Sequence, residues 1–186
     1  RVDLRLAAGP RQYGIGRASA VESLLRDLRF HLLGLREAAV VLFDCRNAFG
    51  TMPRTLIAEE VAERVPQLAA AMLHGIAEPT ISMVRKAEGG WAYIRSSVGV
   101  PQGSPEGSAA FAIGLRRVIE RYDALLVGLL GQERAAQTAL FAYLDDVTIV
   151  PRSATLPPAY VNDACMYTLC ERGFMYGFHS SQSMTM

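Results

Sequence analysis

Three aspartates stand where apolar runs end. Asp44 follows directly on Ala38-Ala39-Val40-Val41-Leu42-Phe43, and Asp145-Asp146 lie between Phe141-Ala142-Tyr143-Leu144 and Val147-Thr148-Ile149-Val150. Each has an ordinary structural reading: Asp44 can cap the turn or helix after it, and an Asp-Asp pair is common hairpin chemistry. Yet two adjacent carboxylates wedged between apolar strands repel each other at neutral pH, and a bound divalent cation removes that penalty. Oxygen donors without nearby His or Cys favour Mg2+ or Mn2+ over zinc. If the strands bearing Asp44 and Asp145-Asp146 are neighbours, three carboxylates can converge at one sheet edge. Such a cluster suits a two-metal site, with ions ~3.5–4 Å apart, that clamps the attacking and leaving oxygens of a phosphoryl displacement.

Residues 1–17 carry Arg1, Arg5, Arg11 and Arg17 with three glycines and read as an irregular leading segment. Ser19-Ala20-Val21-Glu22 has the pattern of a capping box, in which the Ser19 hydroxyl takes a free amide and Glu22 reaches back. Val21, Leu24, Leu25, Leu28, Leu32 and Leu35 then recur at helical spacing, predicting a helix to about Glu37 with Arg26, Asp27, Arg29 and Arg36 on its solvated face. The run 38–43, β-branched at its centre, predicts a buried central strand. Pro53 and Pro66 open two helices, to about Arg64 and Ile76. Thr80 to Lys86, Gly89-Gly90 and Trp91 to Val98 predict a β-hairpin. A Gly/Pro/Ser-rich loop at Gly99 to Gly107 leads into a long helix from about Ser108 to Leu130. Ala139 to Leu144 and Val147 to Val150 are two strands meeting at Asp145-Asp146, and Pro157-Pro158 opens a last helix ending near Gly173. The hairpins interrupt any strand–helix alternation. The expectation is therefore an α+β fold, with a partly antiparallel sheet and helices packed on one face.

The chain has 186 residues, 51% hydrophobic and 20% charged, enough for one domain with a sizeable core. A formal net charge of +1 excludes a polybasic protein, and 18 of the 19 basic residues are arginines, Lys86 being the exception. Cys45, Cys165 and Cys170 include no CxxC pair, which argues against zinc and thiol redox chemistry and for a reducing, intracellular compartment. No apolar run approaches the ~20 residues that span a bilayer, so no membrane partner is expected. No signal peptide is visible. The chain starts at Arg1 and stops soon after an apolar segment, and it reads as a piece of a longer protein.

Phe43-Asp44-Cys45-Arg46-Asn47-Ala48-Phe49, Gly99-Val100-Pro101-Gln102-Gly103-Ser104-Pro105 and Ala142-Tyr143-Leu144-Asp145-Asp146 occur in that order. Together they resemble motifs A, B and C of reverse transcriptases. Gln12-Tyr13-Gly14-Ile15-Gly16 is similar to the fingers motif upstream of motif A. The pattern Asp44…Asn47-Ala48-Phe49…Arg54 is most similar to polymerases of non-LTR (LINE-type) retrotransposons, with the site-specific kinetoplastid type as the finer match. The resemblance covers about residues 12–183. It implies a partial fingers segment and helix over 1–37 and a palm over 38–186, with motifs A, B, C and a degenerate D and without the thumb. It implies an RNA-directed DNA polymerase that joins deoxynucleoside triphosphates to a DNA primer on an RNA template. Asp44, Asp145 and Asp146 would be catalytic and hold two Mg2+ or Mn2+ ions. Cys45, Arg46, Asn47 and Ala48 would cradle the triphosphate. Phe49 would be the steric gate that selects deoxyribose, or else an ordinary core aromatic. Gln102 and Gly103 would contact nucleotide or template, and Tyr143 the primer terminus. The parent would supply a thumb and an endonuclease, and a eukaryotic retroelement would act in the nucleus.

Departures from the family pattern matter as well. In the motif D stretch Gly177-Phe178-His179-Ser180-Ser181-Gln182-Ser183, Gln182 stands where the family has a lysine that protonates the leaving pyrophosphate. His179 could take that role or be a surface residue. Glu106 stands where motif B carries an apolar residue. These departures support a second reading, a decayed or captured fragment that folds and binds nucleic acid without catalysing. Little polymerisation is expected from the 186 residues alone, since template and primer need more surface to hold them.

Overall fold

The computed structural model describes residues 2–33, 39–43, 47–101, 103–104, 106–151 and 184–185. The leading segment is less irregular than its glycines suggest. The Asp3 carboxylate accepts the Arg5 and Leu6 amides at 3.0 and 3.4 Å and caps a short helix α1, Leu4–Ala8. Helix α2, Ala20–Leu32, starts where expected but without the capping box. Ser19 takes a left-handed backbone (φ 47°) and makes no side-chain cap bond, so the Ser23 amide to the Ser19 carbonyl closes the first turn. The helix ends at Leu32 rather than near Glu37, because Leu33 is extended.

Strand β1 is Ala39–Phe43. The short helix α3, Ala48–Thr51, leads to α4, Arg54–Arg64, and α5, Pro66–His74. Both prolines sit where a missing N–H leaves no gap in a helix. Strands β2, Thr80–Arg85, and β3, Trp91–Ser96, form a separate two-stranded hairpin. Helix α6, Gly107–Leu130, is followed by α7, Gln132–Ala136, a short helix the sequence pattern did not announce. Strands β4, Thr138–Tyr143, β5, Asp146–Pro151, and β6, Met184–Thr185, complete a sheet in the order β4-β5-β1-β6, antiparallel at every pair. The helix expected from Pro157-Pro158 lies outside the described residues.

The sheet has helices on both faces, not one. Alternate residues of a strand point to opposite sides, and β4 is apolar on both. Leu140 and Ala142 join Val41, Val147, Ile149 and the α4–α6 residues Ile57, Phe111 and Ile113 in the main core. Ala139 and Phe141 join Tyr13 and Val150 in a second cluster, covered by Leu24, Leu28 and Leu32 of α2. An α+β reading with one helical layer would have left this second face bare. Cover is incomplete toward β1: Val41 is buried but Leu42 is half exposed, so the central strand is not buried throughout.

Helices α4 and α6 are also tied by charge. Glu60, 1% exposed, accepts from Arg64 at 2.7 Å and from Arg117, which also reaches Glu59. Glu120 accepts from Arg64 and Arg116 at 2.9 and 2.6 Å. Arg116 further donates to the carbonyls of Leu6 and Ala7, fastening α1 to α6.

Candidate functional site

The antiparallel pairing of β1 with β5 aligns Val41 with Ile149, Leu42 with Thr148 and Phe43 with Val147. The residue before Asp44 therefore pairs with the residue after Asp146. Asp44, Cys45 and Arg46 lie outside the described residues. Across the β4–β5 hairpin Tyr143 pairs with Asp146, so the loop is Leu144-Asp145, one residue earlier than the expected Asp145-Asp146 turn. Asp146 begins β5 and is exposed, and Asp145 is half exposed at the tip. Among the described residues no three His, Cys, Asp or Glu gather into a metal-holding group. The third donor expected there, Asp44, is not among them.

Leu144 adopts φ 54°, a backbone state in which a two-residue hairpin usually places glycine or asparagine. Holding a leucine there costs about 1–2 kcal/mol. What holds it is Gln12, which is fully buried. Its Oε1 accepts the Leu144 amide at 2.7 Å and the Gly14 amide at 2.9 Å, and its Nε2 donates to the Leu144 carbonyl at 3.1 Å. The backbone beside it pairs in parallel with the edge of β4: the Tyr13 amide donates to the Ala142 carbonyl at 2.7 Å, and the Ala142 amide to the Arg11 carbonyl at 2.9 Å. A Cβ on Gly14 would lie 2.8 Å from the Leu144 amide nitrogen, so only glycine permits this approach. The sequence singled out the Gln12–Gly16 stretch but offered no sign that Gln12 grips the aspartate turn. A polar residue beside glycines looks the same whether buried or solvated.

Tyr13 closes the same corner from the α2 side. Its hydroxyl donates to Asp27 at 2.7 Å, and the Arg17 guanidinium lies over its ring at 3.9 Å. Burial, then the bond to Asp27, pushes the Tyr13 hydroxyl above its ordinary range. The Tyr13 hydrogen bond holds the Asp27 carboxyl below its own. Asp27, read from sequence as part of a solvated face, thus has a specific partner. Tyr143 is half buried against the same cluster.

A second junction joins the first and second sequence words. The Gly99 amide donates to the Met52 carbonyl at 2.9 Å and the Val100 amide to the Phe49 carbonyl at 2.8 Å. Arg54 donates to the Gly99, Ile76 and Glu78 carbonyls at 2.8, 3.3 and 2.9 Å, tying α4 to the loop before α6. Gly99 has φ 73°, and a Cβ there would meet the Phe49 carbonyl oxygen at 2.3 Å. Ala48 is buried, and Asn47 is exposed at the start of α3. The Phe49 ring is half buried and stacks on Phe111, with centroids 4.3 Å apart and planes 20° apart. Gly103 is exposed with open space on its Cα, and Gln102 lies outside the described residues. Glu106 sits at the N-cap of α6, where its own backbone amide and then the Ser104 hydroxyl hold its carboxyl below the ordinary range. An acid at a helix start is favoured by the free amides there. The motif D stretch, with His179 and Gln182, lies outside the described residues.

No protein-family model matches the chain, and no curated protein matches it by sequence. Solved structures do match. Telomerase from Candida tropicalis in complex with a TWJ fragment of telomeric RNA superposes with a TM-score of 0.67 at 12% identity, covering 96% of this chain and 30% of that one. The fold is similar to part of telomerase. Apo telomerase from Candida tropicalis, truncated from its C-terminal domain, gives 0.62 at 12% identity over 94% of this chain and 36% of that one. Telomerase from Candida albicans with a TWJ fragment of telomeric RNA gives 0.60 at 12% identity over 89% and 30%. The chain thus spans about a third of the length of these telomerases, and the likeness is one of fold. Among the described residues no helix is long and apolar enough to cross a membrane.

Proposed function

We propose that this chain is the palm, with part of the fingers, of an RNA-directed DNA polymerase from a non-LTR retroelement. It would join deoxynucleoside triphosphates to the 3′-hydroxyl of a DNA primer on an RNA template. The observation that carries this reading is the β1–β5 register, which sets Phe43, before Asp44, beside Val147, after Asp146, at one end of the two inner strands. The telomerase-like fold supports it independently, and two of the matched telomerases are bound to RNA.

The donor set suits a hard divalent ion: Asp145 in the hairpin turn and Asp146 at the start of β5 offer carboxylates, and Asp44 would add a third. When bound, two Mg2+ or Mn2+ ions would activate the attacking hydroxyl and offset charge on the displaced phosphate. The protein's own part is positional. Gln12 fixes the turn that carries the two aspartates. The segment Cys45 to Ala48 would cradle the triphosphate with its amides, as successive amides do for anions. Phe49, its ring stacked on Phe111, is a rigid wall for a sugar without a 2′-hydroxyl. The open side of Gly103 leaves room for nucleotide or template beside Gln102. Tyr143, opposite Asp146 in the hairpin, would contact the primer end. A thumb and an endonuclease would come from other parts of a longer parent, and a eukaryotic element would act in the nucleus.

Glu106 and Gln182 favour a second reading, a captured fragment that binds nucleic acid without catalysis. Primer extension by the parent polypeptide on an RNA template, in Mg2+ or Mn2+, separates the two. The polymerase reading expects incorporation that Asp44→Asn or Asp145→Asn abolishes. Extension that survives both substitutions refutes the site assignment. No incorporation by the wild type, with nucleic acid still bound, establishes the captured fragment.

A further inference from the structure

The β2–β3 hairpin is exposed on both faces, and its strands pack chiefly on each other. An isolated two-stranded hairpin is marginal in water, so a surface of this kind gains from being covered. Its pairing register sorts the residues. Ile81 pairs with Arg95, Met83 with Tyr93 and Arg85 with Trp91. Directly paired residues share a face, as do alternate residues of one strand. Two aromatic rings and two guanidiniums therefore share one face with Ile81 and Met83. The other face carries Thr80, Ser82, Val84, Ala92, Ile94 and Ser96, which bear no charge and no ring.

Most described arginines of the body are committed to ion pairs or, like Arg17 and Arg54, to main-chain carbonyls, although Arg5 and Arg29 are in no ion pair among the described residues. Arg11, Arg26, Arg64, Arg116 and Arg117 are all in ion pairs. Arg85, Arg95 and the neighbouring Lys86 are in none among the described residues, and no paired strand residue on the face of Arg85 and Arg95 is acidic, the hairpin's one acid, Glu88, being in the connecting turn. Trp91 and Tyr93 are 57% and 70% exposed. Two residues along an antiparallel strand rise ~6.8 Å, which gives each ring room for its own unpaired base. Cations that track phosphates beside rings on which bases stack are the two elements of single-strand recognition.

We infer that this face of the hairpin binds an unpaired nucleic-acid strand, with bases stacked on Trp91 and Tyr93 and phosphates held by Arg85 and Arg95. The inference extends the nucleic-acid part of the proposed function but does not depend on its chemistry, so it is tested without metal.

Trp91 is the only tryptophan, so its fluorescence reports the face directly. The probe is a single-stranded oligoribonucleotide titrated into the full chain in EDTA, with the same strand annealed to its complement as the comparison. The expected result is saturable quenching by the single strand and weaker quenching by the duplex. By anisotropy of a labelled strand, Trp91→Ala or Tyr93→Ala should weaken binding about 5- to 140-fold. Arg85→Gln with Arg95→Gln should flatten the salt dependence by roughly 0.7 in log–log slope for each phosphate no longer neutralised. These side chains are exposed, and unchanged far-ultraviolet circular dichroism checks that the variants fold. Unquenched Trp91 overturns the inference. So does wild-type affinity in the doubly substituted Trp91→Ala, Tyr93→Ala chain, or sedimentation showing that the face joins two copies of the chain. None of these outcomes touches the primer-extension test, and an inert Asp145 in that test leaves the quenching unchanged.

Discussion

Gln12→Leu tests whether one buried amide holds the aspartate turn. The substitution keeps the volume nearly constant but removes three hydrogen bonds, leaving the Gly14 amide, the Leu144 amide and the Leu144 carbonyl without their partner. An orphaned buried polar group costs about 1–3 kcal/mol. Three of them set a loss of roughly 3–5 kcal/mol once water reaches the more open ones. Relaxation of Leu144 from its left-handed backbone returns about 1–2 kcal/mol. The expected net loss is about 1–4 kcal/mol, a sizeable share of the ~5–15 kcal/mol that holds a domain folded. Urea denaturation reads the total, and hydrogen exchange at the Leu144 and Gly14 amides reads the place. Gln12→Glu adds a pH signature. The introduced carboxyl would be buried, so its folded pKa lies above its unfolded value of ~4.3. Protonated, it can donate to the Leu144 carbonyl as the amide does; ionised, it faces that carbonyl with charge. Relative to wild type, the variant's stability is therefore greatest below about pH 4 and falls as pH rises toward the raised folded pKa, by up to ~1.4 kcal/mol per unit. A Gln12→Leu protein within ~1 kcal/mol of wild type, with the Leu144 amide still protected, would refute the reasoning.

Gly99→Ala places a methyl against the Phe49 carbonyl at a positive φ, and should cost about 2–4 kcal/mol in denaturation experiments through strain and overpacking together. Tyr13→Phe loses the bond to Asp27, about 1 kcal/mol. Because Asp27 is held below its ordinary range, the wild type draws stability from it above pH ~4, lost as pH falls through the depressed value. Stability curves of wild type and Tyr13→Phe should accordingly converge toward low pH, and parallel curves would show that the bond contributes nothing. Glu60→Ala leaves Arg64 and Arg117 beside an emptied buried site, and thermal melting should show a loss of about 2–4 kcal/mol, greater than for Glu59→Ala at the exposed end of the network.

What the sequence made legible was what local rules decide. Pro53 and Pro66 mark helix starts because a missing N–H is tolerated only there, and α4 and α5 begin beside them. Gly89-Gly90 between β-rich runs marks a hairpin, which β2 and β3 form. The three words carrying the reverse-transcriptase resemblance fall on or beside β1, the loop before α6 and the β4–β5 turn, in a fold that matches telomerase. Less legible was whatever depends on distant partners. Ser19 has the residues of a capping box, yet its left-handed backbone turns the hydroxyl to no cap bond. The turn shifted by one residue to Leu144-Asp145 because Gln12, far away in the chain, stabilises a leucine where glycine is usual. The second helical layer was hidden because β4 reads as a continuous apolar run, which is compatible with cover on one face or both.

The two junctions that shape the candidate site share a construction with a physical consequence. At one, the segment from Arg11 to Gly14 lies against the β4 edge and the Leu144 turn. At the other, Gly99 and Val100 lie against the carbonyls of Phe49 and Met52. Both are contacts of main chain with main chain, made at a glycine where a Cβ would stand 2.8 or 2.3 Å from backbone atoms. A side chain that crowds a core can change rotamer, and a trimmed one leaves a small cavity, so an Ile→Val change at Ile113 or Ile149 costs only about 0.5–1.5 kcal/mol. Two backbones in contact have no rotamer to yield. A single methyl at position 99 must therefore part the loop before α6 from α3, and one at position 14 must part the leading segment from the Leu144 turn and should displace Asp145 more than any conservative change in the core beneath it.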